Sequence, residues 1–227
     1  MIWKTQNIVG RTELSISGQG EAASALRTVW PGNSILSIPE NMLSYSFASS
    51  DAEDSVNGTG ARFVRIRCLN SNLQESDYLL ALNGTTPVEL PNNLTAIESI
   101  EIVECGSLGV NKGVISVGTG NFTSGVPDVV YDLIPIEMGA SQSCRYTVPK
   151  GKIFVLHNIS VTPGNAIVDF VVEVCKTKYG ATSVYYQGSD FDGNINFTQG
   201  ETFSLRIKLA SVEDLVYVIA KGELKSL

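Results

Sequence analysis

Between Ser49 and Val117 the chain alternates polar and apolar residues with period two, and turn-forming residues interrupt it every few positions. Phe63, Arg65 and Arg67 oppose Val64, Ile66 and Cys68, and further strands are expected over Tyr78–Leu82 and Ile97–Cys105. In the last of these, Ile97, Ser99, Glu101 and Val103 stand against Glu98, Ile100, Ile102 and Glu104, so neither series is purely apolar. Asn57-Gly58-Thr59-Gly60 and Asn83-Gly84-Thr85-Thr86 read as turns, because Asn and Gly accept positive φ. A helix cannot bury one face with such a pattern. The expected class is therefore all-β, an antiparallel β-sandwich or jelly-roll-like fold, as one large or two stacked sandwiches.

The remaining sequence divides by composition. Residues 1–33 read as an N-terminal arm, extended around Ile8–Ile16, broken at Gly18-Gln19-Gly20 and irregular from Glu21 to Trp30. This arm holds both tryptophans, Trp3 and Trp30, and they are the interface candidates. Large aromatics anchor contacts with partners, although packing on the chain's own core is the commoner use. Residues 34–118 form one β-subdomain. Residues 119–140, rich in Gly, Pro and Asp, read as a connector. Residues 141–227 form a second β-subdomain, in which Phe203, Leu205, Ile207 and Leu209 against Ser204, Arg206 and Lys208 give the cleanest half-buried strand.

A chain of 227 residues can bury a sizeable core, and 43% apolar with 17% charged residues is an ordinary globular balance. The net charge of −7 disfavours a nucleic-acid partner, which needs a basic face. Arg62, Arg65 and Arg67 form the one dense basic cluster and are expected to be a solvated or ion-paired strand face. No apolar run is long enough to span a bilayer, and no apolar core precedes a cleavage site near Met1, so no membrane partner and no secretion are expected. Cys68, Cys105, Cys144 and Cys175 are widely and irregularly spaced and are expected to be reduced, buried thiols. The N-x-S/T triplets starting at Asn57, Asn83, Asn93, Asn121, Asn158 and Asn196 fit a polar β surface.

Catalytic chemistry finds little support. The single histidine, His157, lies mid-strand, and no G-x-S-x-G, HExxH, CxxC or phosphate-binding glycine motif occurs. Asp190, Asp192, Asn194 and Glu201 echo a calcium loop, but Ile195 fills the position that needs Gly. A hairpin turn at Asp192-Gly193 explains the same residues. Asp51, Glu53 and Asp54 contain the raw material of a carboxylate pair but read as a solvated loop. Tyr179, Tyr185 and Tyr186 are the residues that a carbohydrate-binding module would use. No enzyme activity, cofactor or metal is expected.

Three passages, SSxxEDSxxGTGARxVRI at Ser49–Ile66, LNGTTPV at Leu82–Val88 and GSLGVNKGVIS at Gly106–Ser116, are followed by SQSCRYTVPKGKIFVL at Ser141–Leu156. In order and spacing, over about residues 49–160, they resemble virion structural proteins of tailed, often marine, bacteriophages. Lys150 stands where that pattern has Ala, and Cys68 where it has Gly. The resemblance implies a virion protein without catalytic residues: a capsid decoration or minor capsid protein, or alternatively a tail, collar or fibre component. It implies other virion proteins as partners, among them the major capsid protein, and assembly as a homo-oligomer.

Overall fold

The computed structural model describes residues 2–8, 11–22, 27–32, 44–91, 93–163, 170–178, 181–189, 191–209 and 214–227. Among these residues the chain is all-β, built of antiparallel sheets and without a helix. It divides into two compact units, Met1–Leu36 with Gln142–Leu227, and Ser37–Ser141.

The first unit contains β1 (Ile2–Ile8), β2 (Arg11–Ala22), β3 (Arg27–Thr28), β11 (Arg145–Thr147), β12 (Lys152–Pro163), β13 (Phe170–Lys178), β14 (Ala181–Gly188), β15 (Phe191–Thr198), β16 (Thr202–Leu209) and β17 (Asp214–Ser226). One sheet runs β1-β2-β17-β12-β15. The other runs β11-β16-β13-β14, with β3 also paired to β16. The inner faces of both sheets supply one core: Leu14, Ile16, Phe154, Leu156 and Val218 from one, Tyr146, Val172, Val174, Phe203 and Leu205 from the other. At its centre Phe154 meets Tyr146, Phe197 and Phe203 with ring centroids 5.6–5.8 Å apart, two of the three contacts edge-on. That spacing suits the quadrupoles of packed aromatic rings.

The second unit contains β4 (Ser46–Ser49), β5 (Ala61–Asn70), β6 (Glu75–Ala81), β7 (Val88–Glu89), β8 (Leu94–Cys105), β9 (Ile115–Thr123) and β10 (Val126–Ile134). Its sheets run β10-β9-β4-β7 and β6-β5-β8. Phe47, Val117 and Ile134 face Val64, Ile66 and Ile100 across a shared core.

Two sequence expectations are corrected. Residues 1–33 are not a separate arm, because β2 pairs with β17 from Arg11↔Lys225 to Ala22↔Asp214. Gly18 and Gly20 do not break β2. A Cβ on Gly18 would come 2.6 Å from the Cys144 backbone nitrogen, and one on Gly20 would come 2.7 Å from the Trp30 carbonyl oxygen. These glycines permit close approach within a continuous strand. Residues 119–140 are likewise not a connector. They hold the end of β9 and all of β10, joined by a two-residue turn in which Ser124 (φ 48°) and Gly125 (φ 79°) are both left-handed. Positive φ at both central positions is the hairpin geometry that matches strand twist. Residues 33–43, which include the start of the first expected β-subdomain, lie outside the described residues.

Candidate functional site

The turn-rich passages Ser49–Ile66, Leu82–Val88 and Gly106–Ser116 meet at one end of the second unit. The strand pairings place the end of β4, the start of β5, the ends of β6 and β8 and the start of β9 there. The Asp54 side chain, fully buried, ties the intervening loops. Its Oδ1 accepts the backbone N–H groups of Ala61 (2.8 Å) and Lys112 (2.9 Å). Its Oδ2 accepts the Gly113 N–H (2.8 Å) and the Ser49 hydroxyl (2.6 Å). The Asp54 carbonyl accepts the Gly84 N–H at 2.9 Å, and the Gly84 carbonyl accepts the Ser49 N–H at 2.9 Å. Four donors on one buried carboxylate satisfy it without a cation.

Glycines fit this arrangement for two reasons. Gly84 needs positive φ, at 59°. Gly58 and Gly60, expected to be glycines for the same reason, do not show it. A Cβ on Gly58 would strike the Glu53 carbonyl, and one on Gly60 would strike Asp54 Oδ1. They are small because the loop packs closely against the Glu53 carbonyl and the Asp54 carboxylate.

Of the acid cluster only Asp54 is buried, while Asp51 and Glu53 stay partly exposed and bond within their own loop. Asp51 Oδ1 accepts the Glu53 N–H at 2.9 Å. Glu53 Oε2 accepts from the Thr59 hydroxyl (2.8 Å) and N–H (3.1 Å), which hold its pKa below the usual value. Around these loops Val56, Leu108, Val110 and Ile136 are exposed. Leu108 donates its N–H to Thr59 and Val56 to Leu82, while Asn111 Nδ2 binds the Pro135 and Gly113 carbonyls at 2.8 and 2.7 Å. The end of this unit thus presents apolar side chains on loops fixed by buried hydrogen bonds.

The other candidates are engaged in strand-to-strand ties. Arg65 bonds Glu101 at 2.5 Å, and Arg67 lies 3.5 Å from Glu101 and 3.9 Å from Asp77. Arg62 lies 3.7 Å from Glu104. His157 is the extra residue of a bulge in β12, between Leu156↔Gly222 and Asn158↔Lys221. Its Nδ1 is 2.7 Å from Asn194 Oδ1, and its Nε2 is 3.5 Å from Glu223 Oε1. Lys225, then Arg11 and His157, hold the Glu223 pKa below the usual value against some desolvation.

Glu201, the last position of the calcium-like pattern, is engaged by Lys176 (3.1 Å) and the Thr198 N–H (2.7 Å). Asp192 and Gly193 are not a hairpin turn but lie within β15, where Asp192 pairs with Asn158. Strand β15 belongs to a different sheet from β14, so no hairpin joins the two. Asp190 lies outside the described residues. Among the described residues no group of three His, Cys, Asp or Glu is placed to hold a metal ion.

Tyr186 turns toward the core and meets Phe191 edge-on at 5.1 Å, whereas Tyr185 is exposed beneath the Lys176 ammonium at 4.4 Å. They form no shared platform, and Tyr179 lies outside the described residues. Trp30 is buried, with its ring over Gly32, and offers no exposed anchor. Trp3 lies in β1 opposite Ser15. All four cysteines are free thiols, and three of them are buried.

Sequence reasoning identified the loops but missed Asp54 as their centre. No local signal marks it, because two of its donors, Lys112 and Gly113, lie 58 and 59 positions further along the chain.

No protein-family model matches the chain, and no curated protein matches it. A solved structure of infectious bursal disease virus, Gt strain, is similar over 97% of this chain and 73% of that chain, at 12% identity and a TM-score of 0.21. A likeness at that level carries no argument about fold or function. No helix of the described residues is long and apolar enough to cross a membrane.

Proposed function

We infer that this chain is a non-enzymatic virion structural protein of a tailed bacteriophage, a capsid decoration or minor capsid protein that binds the major capsid protein. The observation that carries the reading is the Asp54-tied end of the second unit. There the Asp54 and Asn111 side chains bond within the loops, and Val56, Leu108, Val110 and Ile136 stay outside. Apolar side chains held on rigid loops bind a protein surface with little ordering cost. Each unit, with two sheets around one core, is read as a β-sandwich of the jelly-roll-like kind used in particle shells. Low charge and many Ser, Thr and Asn side chains suit repeated contacts between copies.

The test is incorporation of Leu108→Asp/Ile136→Asp into virions, compared with the unaltered chain. Loss from the particle with an unchanged thermal melt supports the docking surface. Incorporation at full copy number overturns it. Imaging that locates the protein on the tail rather than the head overturns the capsid assignment.

A further inference from the structure

Strand β14 ends its sheet, and among the described residues no strand pairs with its outer side. It reads ATSVYYQG, with neither charge nor proline, and Ala181–Tyr185 are all exposed. An edge with open N–H and C=O groups is a template for another strand, and proteins usually guard against this with charge, proline, bulges or short length.

The other edges carry such guards. Strand β1 has Lys4, β6 has Glu75 and Asp77, and β8 has Glu98, Glu101 and Glu104. Strand β10 has Pro127, Asp128 and two register shifts. Strand β15 has Asp192 and a register shift, β7 is two residues long and β11 three. The one irregularity of β14 is a bulge at Tyr185, which leaves Ala181–Val184 in regular register against Lys178–Cys175.

We propose that β14 pairs antiparallel with β14 of a second copy, about a two-fold axis through Ser183. Thr182 then faces Val184 of the second copy, and Val184 faces its Thr182, on one face of a continuous ten-stranded sheet. Residues related this way have the same parity, so each side chain keeps its face across the junction. The occupant is a second copy because the segment is self-complementary. In a chain of net charge −7, an uncharged edge lets two copies meet without like charges directly opposed. Thr and Val are good strand formers, and their pairing is favourable. An isologous contact consumes the edge, so association stops at two. Four residues bury far less than the roughly 1,000 Å² of a stable interface. The pairing is therefore weak in dilute solution, and it is strengthened wherever another contact already holds copies side by side.

The proposal concerns the isolated chain and stands whether or not the virion reading holds. Sedimentation of the full chain over rising concentration reads it directly. The expected result is a monomer–dimer equilibrium that ends at the dimer. Thr182→Lys/Val184→Lys sets lysine against lysine twice and shifts dimerisation to at least tenfold higher concentration. Thr182→Glu/Val184→Lys sets Glu against Lys twice and restores it, which also shows that substitution at these sites does not unfold the sheet. A chain that stays monomeric throughout, a Lys/Lys variant that dimerises as before, or a Glu/Lys variant that fails to recover overturns the proposal.

Discussion

Asp54 accepts the backbone N–H of Gly113, 59 positions along the chain, at 2.8 Å in a buried site. With the bonds to Ser49, Ala61 and Lys112, this one carboxylate closes the β4–β5 loop and ties it to the β8–β9 loop. Asp54→Ala strands two buried N–H groups and a third, part-buried one at Lys112, and the expected loss of stability is about 3–5 kcal/mol. Urea unfolding followed by far-UV circular dichroism measures it. Hydrogen exchange at Lys112 and Gly113 should accelerate before exchange in the strands does. Gly60→Ala should act in the same direction, because its Cβ strikes Asp54 Oδ1.

Glu201 gives stability a defined acid limb. Burial works against its charge, but the Thr198 N–H and the Lys176 ammonium outweigh that effect and hold its pKa below the usual 4.5. In acid the unfolded chain therefore takes up this proton before the folded chain does. The contribution of Glu201 is present above about pH 4.5 and is lost as pH falls through the folded pKa. Unfolding free energies of the parent chain and Glu201→Gln should differ at neutral pH and converge in acid. Lys176→Met should cost about 1–3 kcal/mol at pH 7, since it leaves a largely enclosed carboxylate without its cation. A difference that stays constant from pH 7 to pH 3 would contradict the assignment.

The Arg65–Glu101 pair is short, but its side chains are 39% and 29% exposed. Water and salt screen such a pair. Glu101→Gln should cost at most about 1 kcal/mol, and raising the ionic strength should shrink the difference. A large, salt-independent loss would mean that this face is covered in solution, which equilibrium sedimentation of the same samples would detect.

The strands were legible in the sequence where alternation was strict and obscure where bulges shifted it. In β8, Ile97 and Ile100 fall on opposite faces by counting, yet both reach the core. The register passes from Cys68↔Ile97 to Arg67↔Ser99, so Glu98 is an extra residue that resets the face. His157 does the same in β12, where Leu156 and Ile159 both point inward. Period-two reading has no term for a bulge. The β9–β10 hairpin was hidden differently, because its glycines and proline have the composition of a linker while serving turns and bulges of an edge. At the candidate site the loops were visible from turn chemistry. Their closure by Asp54 joins residues far apart in sequence, and no local pattern encodes it.

The thiols offer a further check on packing. Burial pushes Cys68 and Cys144 up to about 12 and Cys175 up to about 11, and it raises Cys105 as well. The thiolate is the reactive species, so all four should react slowly at pH 8 in the folded chain. Cys105 is the one that is not fully enclosed, and it should be labelled first by an aromatic disulfide reagent. Cys68, Cys144 and Cys175 should follow only at the rate of unfolding, and denaturant should release all four together. Mass-spectrometric mapping of the first labelled site checks this. Rapid labelling of Cys144 would contradict its complete enclosure beside Ile16, whose carbonyl lies 3.7 Å from its sulfur.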